Sequence, residues 1–143
     1  MTENTNNNFD FELVSPEAKL ISEPAWQVTI PGEEGTFGVR AGHSSLVSSI
    51  RPGVVEVISA QGNTPMKIFI AGGFADVTAT NCTILAEEAT KLEDLQQSEV
   101  EKEIATLGAQ LESATDEVET IRLNRQLTLA KAKLTAITGQ LAA

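Results

Sequence analysis

The hydrophobic pattern of this 143-residue chain changes period once, near Glu88, and that change limits the fold more than any other feature. From Phe9 to Glu88 the period is two. Phe9/Phe11/Leu13, Trp26/Val28/Ile30, Met66/Ile68/Ile70 and Cys82/Ile84 alternate with polar or small neighbours. Successive side chains of a strand point to opposite faces of a sheet, so this pattern predicts strands with one buried face. Turn-forming stretches separate them: "SPE" at 15–17, "PGEEG" at 31–35, "RPG" at 51–53, "QGNTP" at 61–65 and "ATN" at 79–81. Many short strands at this spacing predict an antiparallel sandwich or flattened barrel. Val54–Ile58, apolar apart from Glu56, reads as a strand covered on both sides.

Beyond Glu88 the only helix breakers are Gly108 and Gly139, and the period becomes helical. Val100, Ile104, Leu107, Leu111 and Ala114 form one stripe of alternating four- and three-residue steps. Leu123, Leu127, Ala130, Leu134, Ile137 and Leu141 form a second. Thr90 with Glu93, and Asp116 with Glu119, match capping boxes that would start the two helices. The short "ESATD" between them predicts an antiparallel hairpin. Acids crowd the first helix, whereas Arg122, Arg125, Lys131 and Lys133 occur after Thr120 without an acid among them. Attraction between an acidic and a basic helix would favour the pairing, although exposed ion pairs contribute only ~0–1 kcal/mol each. Solvated helix faces account for most of these charges whatever the function. Two helices of this size bury little surface relative to the entropy of ordering them, so the hairpin is expected to dock on the sandwich or on a partner. The predicted organisation is a leader at 1–8, a β-sandwich at 9–88 and a helical hairpin at 89–143.

Composition narrows the function. The formal net charge is −10, which argues against a nucleic-acid partner because phosphate binding needs clustered Lys and Arg. The single cysteine, Cys82, excludes an intramolecular disulfide and a cysteine-built zinc site. No apolar run approaches the roughly 20 residues of a membrane span. The polar "MTENTNNN" start has neither the basic and apolar regions of a secretory signal nor the Arg-rich character of a transit peptide, and reads as a short disordered leader.

Catalytic chemistry finds little support. His43 is the only histidine and precedes Ser44 and Ser45, but a Ser–His pair also needs an orienting group and oxyanion donors. No Gly-x-Ser-x-Gly elbow is present, and a lone histidine near a loop is more often structural or interfacial. "GEEGTFG" at 32–38 loosely resembles a dinucleotide loop, yet Glu33 and Glu34 would repel a pyrophosphate. The pairs Glu33/Glu34 and Glu87/Glu88 suit solvated loops better than a cation site. The residues favour an interaction module without cofactors.

The stretches "VSPE" (14–17), "GEEGTFGVRAGH" (32–43), "RPGVVEV" (51–57) and "GGFADV" (72–77), followed by "TILAEEA" and a helical hairpin, closely resemble the epsilon subunit of the bacterial F-type ATP synthase. The resemblance covers residues 9–143 and implies a non-catalytic subunit of the rotor stalk. In that family the sandwich touches the gamma subunit and the c-ring, and the hairpin folds onto the sandwich or extends toward the alpha and beta subunits to inhibit ATP hydrolysis. It implies that Glu33, Glu34, Thr36 and His43 belong to a loop facing the c-ring, with Thr36 standing where some relatives carry an acid. Arg122, Arg125, Lys131 and Lys133 would make inhibitory contacts.

Some relatives bind ATP through an Ile-Asp-x-x-Arg-Ala stretch and arginines of the second helix. The aligned stretch here is "LEDLQQ" (92–97). Glu93 can replace the acid and Arg122 and Arg125 remain, but Gln96 stands at the arginine position and lacks its charge, so ATP binding is expected to be weak or absent. Membrane association would come only through the complex, at the cytoplasmic face of the bacterial inner membrane. A β-sandwich adaptor that self-associates through the helices is the competing reading, and a small hydrolase using His43 the third.

Overall fold

The structure is a computed structural model that describes residues 7–60 and 64–142. Residues 1–6 of the expected leader and 61–63 of the expected "QGNTP" turn lie outside the described residues, as does the side chain of Leu141. Among the described residues nine strands come first: β1 (Phe9–Val14), β2 (Lys19–Gly32), β3 (Gly35–Val39), β4 (Leu46–Ile50), β5 (Gly53–Ser59), β6 (Met66–Ile70), β7 (Gly73–Val77), β8 (Asn81–Ala86) and β9 (Ala89–Lys91). Two helices follow, α1 (Gln97–Ser113) and α2 (Glu117–Ala142). The first compact unit ends at Lys91 and the second begins at Leu92. The sandwich therefore runs three residues past the expected boundary at Glu88, because Ala89–Lys91 pairs with Ile68–Ile70 of β6.

The long strand β2 organises the sandwich. Its first half pairs with β1 and its second half with β3 along one edge, while β5 and the end of β4 take the other. The order β1-β8-β7-β4 returns to β2, and β2-β5-β6-β9 continues from it. All of these ladders are antiparallel except β1–β8, which is parallel over Asp10–Val14 and Asn81–Leu85. That pair departs from the all-antiparallel expectation. It arises because β1 and β8 are distant in sequence and need no hairpin to join them.

The period-two residues meet inside. Phe9, Phe11, Leu13, Val28, Ile30, Ile68, Ile70, Cys82 and Ile84 are all buried in one core, which is aliphatic apart from its phenylalanines. Trp26 and Met66 are half-buried. Val55 and Val57 are buried, but Val54 and Ile58 only half so, and Glu56 pairs with Lys67 at 3.5 Å. The second face of β5 is thus less covered than its sequence suggests.

In the second unit the stripe residues between Ile104 and Ala130 pack as predicted. Leu107, Leu123 and Ala130 form a buried cluster with Ile104, Leu111, Ala114 and Leu127 against it. The Asp116 cap is present, its Oδ2 accepting the Glu119 N–H at 3.2 Å. The other expected cap is not: Thr90 lies in β9, and α1 begins only at Gln97, after a 3-10 turn at Leu92–Asp94. Its N-cap residue, Gln96, makes no side-chain capping bond. Among the described residues no ion pair joins α1 to α2; Arg122 instead binds Glu119 of its own helix at 2.6 Å. Apolar packing joins the helices, and the charges point outward.

Candidate functional site

A tight turn puts two carboxylates at one end of the sandwich. β2 and β3 pair as far as Gly32 and Gly35, which leaves Glu33 and Glu34 as an exposed two-residue tip. Glycine is required at position 32, where a Cβ would come within 2.8 Å of the Gly35 carbonyl oxygen and 2.9 Å of the Phe37 ring. The Glu33 N–H donates to the Ser49 carbonyl at 2.9 Å, tying the tip to the end of β4. An open groove of about 670 Å3 lies beside the tip. Glu33–Phe37 and Leu46–Ser49 line it, along edges of β3 and β4 that do not pair with each other.

Thr36, within β3, is exposed and its Oγ1 accepts a hydrogen bond from Arg51 Nη2 at 3.2 Å. His43 stands in the loop beyond the other end of β3. Its Nδ1 donates to the Ser44 carbonyl oxygen at 2.7 Å, and its ring lies 6.4 Å from Phe37. The loop is pinned by Gly42 N–H to Ala79 carbonyl at 2.8 Å and by the Arg40 guanidinium, 3.9 Å over the Trp26 ring. The imidazole thus engages a main-chain carbonyl and no serine hydroxyl, which is not a nucleophile–base arrangement. Glu33, Glu34 and Thr36 are neighbours; His43 is separated from them by the length of β3, with Phe37 between.

The expected helical residues are more dispersed. Arg122, Arg125 and Lys131 are exposed and Lys133 half-buried along α2. Glu93 precedes α1, whereas Arg122 and Arg125 follow the α1–α2 connection and lie beside the C-terminal end of α1, where Leu123 meets Leu107. About ten residues of α1, roughly 15 Å of helical rise, lie between its start, next to the acid, and the level of the arginines at Leu107.

A second surface escaped the sequence reading. Strand pairing sets Leu85 opposite Phe74 and Phe74 opposite Ser49, with Val14 next to Leu85 across the parallel ladder. Paired residues share a face, so these four form one row across β1, β8, β7 and β4. Phe74 and Leu85 are exposed at 56% and 49%, and Val47, diagonal to Phe74, at 70%. Val47 also lines the groove beside the acidic tip, so the two surfaces meet there. The available signal was parity: Phe74 shares the outward side with Asp76, and Leu85 with Thr83.

Among the described residues no three His, Cys, Asp or Glu side chains are grouped to hold a metal ion, and no helix is long and apolar enough to cross a membrane. Burial, with the carboxylate of Asp76 adding to it, pushes the Cys82 thiol up to about 12, leaving it protonated.

Comparison with known proteins agrees with this architecture. Residues 8–92 match the family model for the ATP synthase Delta/Epsilon chain beta-sandwich domain. The chain is 44% identical to the ATP synthase epsilon chain of Rhodospirillum centenum, over 94% of each chain. It is 41% identical to that of Rhodospirillum rubrum, over 91% of this chain and 96% of that one. A chain of the Euglena gracilis mitochondrial ATP synthase, solved with OSCP, F1 and c-ring, superposes with a TM-score of 0.77 at 28% identity, covering 88% of this chain and 79% of that one. A chain of the Tetrahymena thermophila central stalk and c-ring shares the fold at 13% identity and a TM-score of 0.66, over 90% of this chain and 96% of that one. The chain belongs to the ATP synthase epsilon chain family and is a non-catalytic subunit of that complex.

Proposed function

We propose that this subunit joins the gamma subunit to the c-ring in the central stalk, at the cytoplasmic face of the bacterial inner membrane, and so couples proton flow to ATP synthesis. The observation that carries the reading is the pair of unlike surfaces on one sandwich: an acidic, exposed tip at Glu33–Glu34 and an apolar row at Leu85, Phe74 and Val47. An exposed apolar row of this kind marks a protein contact, here with gamma. The acidic tip, with Thr36 and with His43 at the other end of β3, faces the polar loops of the ring.

The hairpin acts as the inhibitor of ATP hydrolysis. It forms a compact unit of its own beginning at Leu92. Arg122, Arg125, Lys131 and Lys133 supply positive charge along α2 for acids on the alpha and beta subunits. ATP is not held as a regulatory ligand, because Gln96 lacks a guanidinium and Glu93 stands apart from Arg122 and Arg125.

Reconstitution with enzyme stripped of this subunit tests the assignment. Phe74→Asp combined with Leu85→Asp should abolish incorporation with gamma. Glu33→Lys combined with Glu34→Lys should incorporate yet lose ATP-driven proton pumping. Full incorporation and pumping by both double variants would refute the assignment.

A further inference from the structure

Arg51 follows β4 directly and opens the corner into β5, yet its side chain serves a different element. Nη1 donates to the Gly32 carbonyl oxygen at 2.7 Å and Nη2 to Thr36 Oγ1 at 3.2 Å. Gly32 and Thr36 flank the Glu33-Glu34-Gly35 tip, so one planar group spans the base of the turn from both of its strands. The main chain adds to this hold, with Arg51 N–H donating to the Pro31 carbonyl at 3.0 Å. Among the described residues β3 pairs only with β2, so apart from the Glu33 N–H bond to the Ser49 carbonyl the tip has no neighbouring strand to hold it.

The geometry points to Arg51 as the positioning residue of the acidic tip: its guanidinium holds Gly32–Thr36 in the conformation that presents Glu33 and Glu34, already ordered, to the c-ring. This rests on the ring-facing reading of that tip. A turn fixed before contact loses less conformational freedom on binding than one that must be ordered by its partner. The residue type matters. Arginine offers two N–H groups in a rigid plane, which a lysine ammonium, with all its donors on one nitrogen, does not reproduce.

The test titrates ATP synthase vesicles lacking this subunit with chain variants and reads the concentration giving half-maximal ATP-driven proton pumping. Arg51→Lys and Thr36→Val should each raise it about five- to ten-fold, the net scale of one ordinary hydrogen bond. Thr36→Ser, which keeps the hydroxyl that accepts from Arg51, should recover most of what Thr36→Val loses. In a Glu33→Gln/Glu34→Gln background Arg51→Lys should add less than roughly two-fold, because no charge remains to be placed. Equal penalties in both backgrounds, no penalty in the native one, or a loss fully matched by thermal unfolding of the variant would overturn the proposal. If Glu33→Gln/Glu34→Gln alone pumps at the native concentration, the ring-facing reading itself fails, and this control tells the two failures apart.

Discussion

Gly73 and Leu85 approach so closely across the β7–β8 ladder that a Cβ on Gly73 would lie 2.0 Å from the Leu85 carbonyl oxygen. The φ of Gly73, 152°, is also one that other residues rarely adopt. Gly73→Ala should therefore destabilise the sandwich by roughly 3 kcal/mol or more, combining overpacking with backbone strain. Urea unfolding measures it; a change below about 0.5 kcal/mol, the scale of an ordinary surface substitution, would mean the strands separate without cost.

The two expected helix caps differ in the structure, and a paired substitution separates them. Asp116→Ala removes the acceptor of the Glu119 N–H and should cost about 1 kcal/mol of helix stability, with Asp116→Asn recovering most of it. Thr90→Ala removes no cap, since Thr90 is a strand residue. Thermal melts followed by circular dichroism at the helical band should show the first loss and little change in helix from the second.

The thiol of Cys82 should be silent in the folded chain. Its ordinary value of 9.0 is raised to about 12 by burial, with Asp76 contributing. A disulfide reagent at pH 8 should react only after urea is added; prompt labelling of the native chain would contradict this burial. The linkage follows from the same shift. Between pH 9 and about 12 the unfolded chain has released this proton and the folded one retains it. The contribution of Cys82 is therefore full below pH 9 and is lost as pH rises toward 12. Cys82→Ala should flatten that part of the stability profile.

Ending the chain after Lys91 should leave the sandwich intact, because β9 keeps its pairing with β6. In the assembled synthase this truncation should raise ATP hydrolysis, as removal of an inhibitor does. Ending it after Glu88 should also cost about 1–2 kcal/mol from three lost cross-strand pairs. Hydrolysis assays and unfolding curves of the two truncations separate the effects; unchanged hydrolysis in both would remove the inhibitory role.

The sequence by itself determined the elements and their inner faces. Phe9, Phe11 and Leu13 had to face a core, and Leu107 and Leu123 a partner helix, because side-chain periodicity is set locally by backbone geometry. It also placed a turn at Glu33–Glu34, since "PGEEG" at 31–35 is a turn-forming stretch between two strand patterns. The tertiary structure alone decided which strands became neighbours. The parallel β1–β8 pair, the row through Leu85, Phe74 and Ser49, and the reach of Arg51 to Gly32 and Thr36 join residues distant along the chain. It also placed Thr90 in a strand, where pairing with β6 outweighed a local capping signal. Local preferences amount to fractions of a kcal/mol per residue, so long-range pairing and burial override them wherever the two conflict.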